Sequence, residues 1–330
     1  MIAIARQRRL VESRAARRSP SVSQPQSSST TASDRGHLLT EQANPASQQL
    51  DQLSALEIVD LFNQEDQKTV AAIAAARLPL AAAIEATAAA LRQGGRLFYI
   101  GAGTSGRLGV LDAAECPPTF CTHPDQVQGL IAGGAGALIR SSEGLEDIAA
   151  DGMEAIALHK ITQRDVVVGI TAGGTTPYVH GALQAAQQRG ATTVFIACVP
   201  SEQVGTSADI DIRLMVGPEI LAGSTRLKAG TATKMALNIL STGVMVQLGK
   251  VYGNRMIDVS VTNSKLRDRA LRILCDLTDL DRAEAAVWLE KSGQQVKLAL
   301  LMYWSQLDRA TAEQLLAEHQ GDLRQALEKS

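Results

Sequence analysis

Aromatic side chains are scarce, at 3% of 330 residues, although 45% of the chain is hydrophobic. A core must therefore be assembled from Ala, Val, Ile and Leu, small side chains that suit helices packed closely on a sheet. Cysteine is scarce too. Cys116, Cys121, Cys198 and Cys275 form no CxxC pair and no zinc-like spacing with the five histidines. This excludes a recognisable metal motif and a disulfide framework, and fits a reduced, cytoplasmic chain. No apolar run reaches membrane-spanning length, since the longest Ala-rich stretch is interrupted by Arg77, Pro79 and Glu85. The apolar start of the chain is too short for the central region of a signal peptide. Finally, neither sign of charge is in excess. With 32 basic and 34 acidic residues the net charge is −2, which lacks the footprint of a nucleic-acid binder.

The charge is unevenly spread. Up to Gly36, seven Arg stand against Glu12 and Asp34, a net +5, so the remainder carries −7. Beyond Val11 this region is rich in Ser, Thr and Gln. Residues 1–37 are expected to form a disordered tail, because they cannot bury enough apolar surface to offset ordering. An organelle-targeting leader or a mis-assigned start codon would leave a similar segment.

Order is expected from about Leu39. Ser54 can cap a helix through Leu61, and an Ala-rich helix follows over roughly 66–93, stopped by Gly94 and Gly95. Strands and helices then alternate. Strands are predicted at 96–101, 127–131, 166–171, 192–198 and 210–216. Helices are predicted from about Ser105 and over 143–158, 177–189 and 230–251. Near-continuous apolar strands predict a doubly wound parallel α/β sheet covered on both faces. From about Asn263 the pattern is wholly helical. The expected division is a tail (1–37), an α/β domain (38–262) and a small helical bundle (263–330).

Five loops carry residues able to do chemistry. Gly101-Ala-Gly-Thr-Ser-Gly106 matches GxGxxG, but the next strand ends in Ile131-Ala-Gly-Gly134 without the carboxylate a dinucleotide needs. Gly103, Thr104 and Ser105 at a helix N-terminus suit a phosphate better. Thr171-Ala-Gly-Gly-Thr-Thr-Pro177 repeats the pattern, with Gly173, Gly174 and Thr175. Both are also compatible with ordinary tight turns. In Glu115-Cys-Pro-Pro-Thr-Phe120 two prolines are expected to end the helix near Glu115, where the dipole disfavours the ionised carboxylate. That would suit a general acid, and an exposed structural Glu fits as well. Ser141-Ser-Glu-Gly-Leu-Glu-Asp147 offers Glu143 and Glu146, either of which could simply favour a helix start. Gly223-Ser-Thr-Arg-Leu-Lys-Ala-Gly230 gathers Ser224 and Lys228 before a long helix, as a phosphate site or a solvated basic turn.

Taken together, Thr40-Glu-Gln-Ala-Asn-Pro45, Gln52-Leu-Ser, Ile100–Gly109, Glu115–Phe120, Glu143–Asp147 and Gly223–Ala232 resemble the sugar-isomerase (SIS) fold. Within it, they resemble the N-acetylmuramic acid 6-phosphate etherase family. The likeness runs from about Leu39 to the C-terminus, and the helical tail is similar to a ubiquitin-associated-like bundle. The resemblance implies cleavage of the D-lactyl ether of N-acetylmuramate 6-phosphate, in cell-wall amino-sugar recycling, by a cytoplasmic homodimer. It places the proton donor at Glu115 and the second glutamate at Glu146. The chain departs from the usual Ser-Gly-Arg-Thr-Pro-Tyr loop, with Gly173 and Thr175 where Ser and Arg are expected, so a cation is missing there.

The chemistry fits these residue types. An alkyl ether leaves poorly unless its oxygen is protonated. Opening the sugar ring sets C2 beside an aldehyde, so its hydrogen becomes removable. An acid, a base and a hold on the phosphate suffice, with no metal, hydride carrier or other cofactor. A non-catalytic sugar-phosphate regulator, akin to glucokinase regulatory proteins, and an aldose–ketose isomerase of the same fold are the alternatives.

Overall fold

Ser54 accepts a hydrogen bond from the Glu57 amide while the Glu57 carboxylate accepts one from the Ser54 amide. This reciprocal cap opens helix α1 (Ala55–Ala75), and α2 (Arg77–Arg92) follows at a 58° bend. The two helices predicted at 54–61 and 66–93 are thus redistributed, with the break at Ala76. Pro79 explains it: its ring clashes with the carbonyl of residue i−4, which is Ala75. The structure, a computed structural model, describes residues 35–141, 144–259 and 261–329. Nearly all of the tail expected at 1–37, and Glu143, lie outside these. Residues 35–37 do not: the Leu38 amide donates to the Arg35 carbonyl at 3.0 Å, and Leu38 is buried.

Five strands, β1 (Leu97–Gly101), β2 (Val127–Ile131), β3 (Val166–Ile170), β4 (Thr192–Ala197) and β5 (Ile210–Arg213), pair in the order β2-β1-β3-β4-β5. Every pairing is parallel. Side chains alternate between the faces. Leu97, Tyr99, Val168, Ile170 and Ile196 pack with α1, α2, α3 (Gly103–Phe120) and α6 (Lys228–Gln247). Phe98, Ile100, Val167 and Phe195 pack with α4 (Ala149–Leu158) and α5 (Pro177–Gln187). This is the doubly wound sheet expected from the apolar runs.

Small residues set the spacing. A Cβ on Gly152 would lie 1.9 Å from the Tyr178 carbonyl oxygen, and one on Gly181 would lie 2.2 Å from that of Ala149. Only glycine lets α4 and α5 meet this closely. The 3-10 turn Leu145–Asp147 leads directly into α4. The sequence predicts helix across 143–158; Gly144 instead takes a left-handed φ of 80° and separates the turn from what precedes it.

A hairpin of β6 (Val251–Tyr252) and β7 (Arg255–Met256) leads to α7 (Ser264–Leu277), α8 (Arg282–Lys291), α9 (Val296–Ser305), α10 (Arg309–Glu318) and α11 (Leu323–Leu327). Ile257 and Val259 join Leu274, Leu289 and Leu301 in the core of this bundle. The described residues from Arg35 onward form one unit. Among the described residues no single helix is long and apolar enough to cross a membrane.

Candidate functional site

The loops after β1 and β3 line one cavity at the C-terminal ends of the parallel strands. Its walls include Gly103, Thr104 and Ser105, then Gly173, Thr175 and Thr176, with Glu146, Glu41 and Arg35 alongside. Its volume of about 260 Å³ is below the roughly 300–1,000 Å³ of typical ligand pockets, room for one sugar ring rather than a dinucleotide.

Each loop is shaped by its glycines. A Cβ on Gly106 would fall 2.6 Å from the Gly101 carbonyl oxygen, so the chain can turn directly from β1 into α3. No side chain caps α3, and the first intrahelical bond joins the Gly106 amide to the Ala102 carbonyl. The amides of the preceding turn are left as anion donors, reinforced by the Thr104 and Ser105 hydroxyls. In the second loop Gly174 holds φ at 77°, and His180 Nε2 lies 2.6 Å from its carbonyl oxygen. Thr171 and Thr176 hydroxyls meet at 2.7 Å.

Gly174, Ser224 and Lys228 do not line the cavity. Gly174 turns towards Val199 and Val204 and serves loop shape. From the third loop it is Gly223, Thr225 and Gly230 that form the wall. Lys228 is fully buried, and its Nζ donates to Glu65 at 2.6 Å. Glu65 also accepts from Asn44 at 2.8 Å and Lys68 at 2.7 Å. Burial works against the Glu65 charge, but these three donors outweigh it and bring the carboxyl down to about 2. The N-terminus of α6 is occupied as well. Buried Glu219 accepts from the Lys228 and Ala229 amides at 3.0 and 2.9 Å, although burial raises its pKa. The expected phosphate contact at Lys228 is therefore replaced by an internal ion pair.

The same network explains the Thr40–Pro45 motif. Asn44 donates to Glu65 and to the Pro218 carbonyl, and the Leu39 amide donates to Gln203, so this strap is tied across the strand ends. It carries Arg35 and Glu41 to the cavity. Neither was a candidate from the sequence, where Arg35 counts as one more tail charge.

Glu115 lies elsewhere in the chain. The prolines at 117 and 118 do not end α3, which continues to Phe120 and closes on Cys121 at φ 52°. Each proline loses its N–H and crowds the carbonyl four residues back, but both sit in the last turn, where little helix remains to disrupt, and their fixed φ is already helical. Glu115 is thus more than a turn from the helix end, and the end-of-helix dipole expected there is absent. It is exposed and borders a small pocket with Leu111, Asp112, Lys234 and Asn238. Ten residues separate it from Ser105, which at 1.5 Å per residue is about 15 Å of helix. Below it, Asp112 accepts from Ser241 at 3.1 Å; burial, outweighing that hydroxyl and the charge of Lys234, pushes its carboxyl up to about 6.

The strand order and paired hydroxyl-bearing loops define a SIS-type sugar-phosphate domain. Family models agree: the SIS domain matches residues 146–243, and the glucokinase regulatory protein N-terminal SIS domain matches 79–187. N-acetylmuramic acid 6-phosphate etherases from Picosynechococcus and Synechocystis are 75% and 73% identical to the chain over 293 and 295 residues. Each alignment covers 89% of this chain and 97% of the relative. The chain belongs to the N-acetylmuramic acid 6-phosphate etherase family, whose members are carbon–oxygen lyases. A phosphoheptose isomerase from Neisseria gonorrhoeae is 17% identical over 57% of this chain and 97% of its own, with a TM-score of 0.43.

Proposed function

We propose that the chain cleaves the D-lactyl ether of N-acetylmuramate 6-phosphate by elimination and water addition, with Glu115 and Glu146 dividing the proton transfers. The observation that carries this is the meeting of two hydroxyl-bearing glycine loops with a carboxylate, Glu146, around one sugar-sized cavity. Thr104, Ser105, Thr175 and neighbouring amides hold the phosphate. With the ring open, Glu146 removes the C2 proton. The C3–O bond breaks and Glu115 protonates the departing oxygen, releasing D-lactate. Water then adds to the unsaturated aldehyde at C3, giving N-acetylglucosamine 6-phosphate.

The active unit in this reading is a two-fold homodimer, in which the partner's Glu115 joins Glu146 of the first copy. Two observations support it. Glu115 borders a pocket other than the one that Glu146 lines, about 15 Å along α3 from Ser105. Leu56, Val59 and Val70 on α1 and Leu78 on α2 are also exposed, an apolar surface a second copy could cover.

The test is incubation with N-acetylmuramate 6-phosphate, assayed for D-lactate with and without EDTA, and for deuterium uptake at C2. Lactate release insensitive to EDTA is expected. Glu146→Gln should abolish C2 exchange, whereas Glu115→Gln should lose about 10²–10⁴ in turnover, the scale of one general acid, and retain exchange. Tight sugar-phosphate binding without turnover would favour a regulator instead, the alternative raised by the match to the glucokinase regulatory protein model.

A further inference from the structure

The cavity around Glu146 is short of positive charge. Among the described residues lining it, Glu41 and Glu146 are carboxylates and Arg35 is the one Lys or Arg. The substrate brings two anions of its own, the phosphate at C6 and the carboxylate of the lactyl group at C3. The phosphate has the amides and hydroxyls of the two glycine loops. The lactyl carboxylate has neither, yet it is attached to the same carbon as the ether oxygen. It must therefore lie close to the group that acts at C2. With Glu146 in that role, two carboxylates would face each other across the reacting carbons, and their repulsion would penalise the productive pose.

We propose that Arg35 binds the lactyl carboxylate and thereby selects the lactyl-bearing sugar over its product; this rests on the etherase reading above. The geometry puts the guanidinium on the correct side. Arg35 Nη2 lies 3.6 Å from Asp147 Oδ1, and Asp147 is the residue after Glu146. Both side chains of that pair are about half exposed, 46% and 58%, so the contact is weak and readily exchanged. The guanidinium has five N–H donors in a planar fork that matches a carboxylate through two parallel bonds. The Arg35 backbone, by contrast, is anchored through its carbonyl to the amide of buried Leu38. Arg35 thus combines a fixed root with a guanidinium free to turn from Asp147 to substrate. Lys228 cannot share the task, because its ammonium is buried against Glu65.

Arg35→Gln and Arg35→Lys in the full chain test this. D-lactate release gives KM and kcat for N-acetylmuramate 6-phosphate, and calorimetry gives the affinity for N-acetylglucosamine 6-phosphate, which lacks the lactyl group. Arg35→Gln should raise KM about 10–100-fold, the scale of a charge-assisted hydrogen bond, leaving product affinity within about twofold. Arg35→Lys should recover part of the loss. An unchanged KM in Arg35→Gln would overturn the proposal. So would a parallel fall in product affinity, which would put the guanidinium on the phosphate. A wild-type chain that released no lactate would instead remove the underlying etherase reading, and a working wild type with an unaffected Arg35→Gln would sink this proposal alone.

Discussion

Replacing Lys228 by Met removes the ammonium that faces Glu65 while keeping most of the apolar stem. Lys228 is fully buried and the Glu65 side chain is 4% exposed, so a carboxylate would be left inside the protein with a partner missing. Breaking a buried pair in this way costs about 3–5 kcal/mol. Lys68 and Asn44 still donate to Glu65, which argues for the lower end, about 3 kcal/mol. For a unit of this size, at roughly 2.1 cal/mol/K of unfolding entropy per residue, that corresponds to a fall in melting temperature of roughly 5 °C. Urea unfolding should show a lower midpoint with an unchanged slope. The acid limb moves as well. In the wild type Glu65 is held at about 2, so its contribution is present above its ordinary value of 4.5 and is lost as pH falls towards 2. Without Lys228 the folded-state carboxyl titrates nearer its ordinary value, so that loss should still begin near 4.5 but be smaller and complete at a higher pH. Below the melting transition, KM for the substrate should stay within a few-fold of wild type. A variant that melts normally but has a KM raised by tens of fold would refute this reasoning, and would restore Lys228 to the phosphate.

Asp112 makes the opposite pH prediction. Burial raises its carboxyl to about 6, so the native state holds the proton more tightly than the unfolded chain, and stability falls as pH rises through 6. Asp112→Asn should abolish this slope, which amounts to as much as about 3 kcal/mol between pH 4 and 7; equal slopes in urea titrations of both proteins would contradict it. Gly152→Ala sets a methyl against the Tyr178 carbonyl and forces α4 from α5. It should cost about 1–3 kcal/mol or more, and should lower kcat because the Glu146 turn leads into α4; a variant with wild-type melting and turnover would show that the contact yields freely.

Much of the fold is legible in the sequence because its strands are buried on both faces. VVVGI at 166–170 has no polar position to confuse the period, and the glycines after β1 and β3 mark where the backbone must turn sharply. Legibility fails where a partner is distant along the chain. Lys228 among hydroxyls looks like a phosphate ligand, and nothing local points to Glu65, 163 positions away. Pro117 and Pro118 look like a helix stop because proline usually is one, yet α3 passes through them. Arg35 is invisible for a different reason. Composition averages it with the six preceding arginines, whereas its position is set by Leu38, Leu39 and Asn44 tying the strap across the strand ends.

The proposed division of the site between two copies can be tested by subunit complementation. Glu115→Gln and Glu146→Gln chains, each nearly inactive alone, are refolded together so that mixed dimers form. A mixed dimer then has one site with both glutamates native and one with neither. Random pairing should restore about a quarter of wild-type lactate release, as expected for a two-fold dimer with shared sites. A mixture with verified heterodimers that stays at the level of its inactive parents would contradict the account, because both glutamates would then have to act from the same chain.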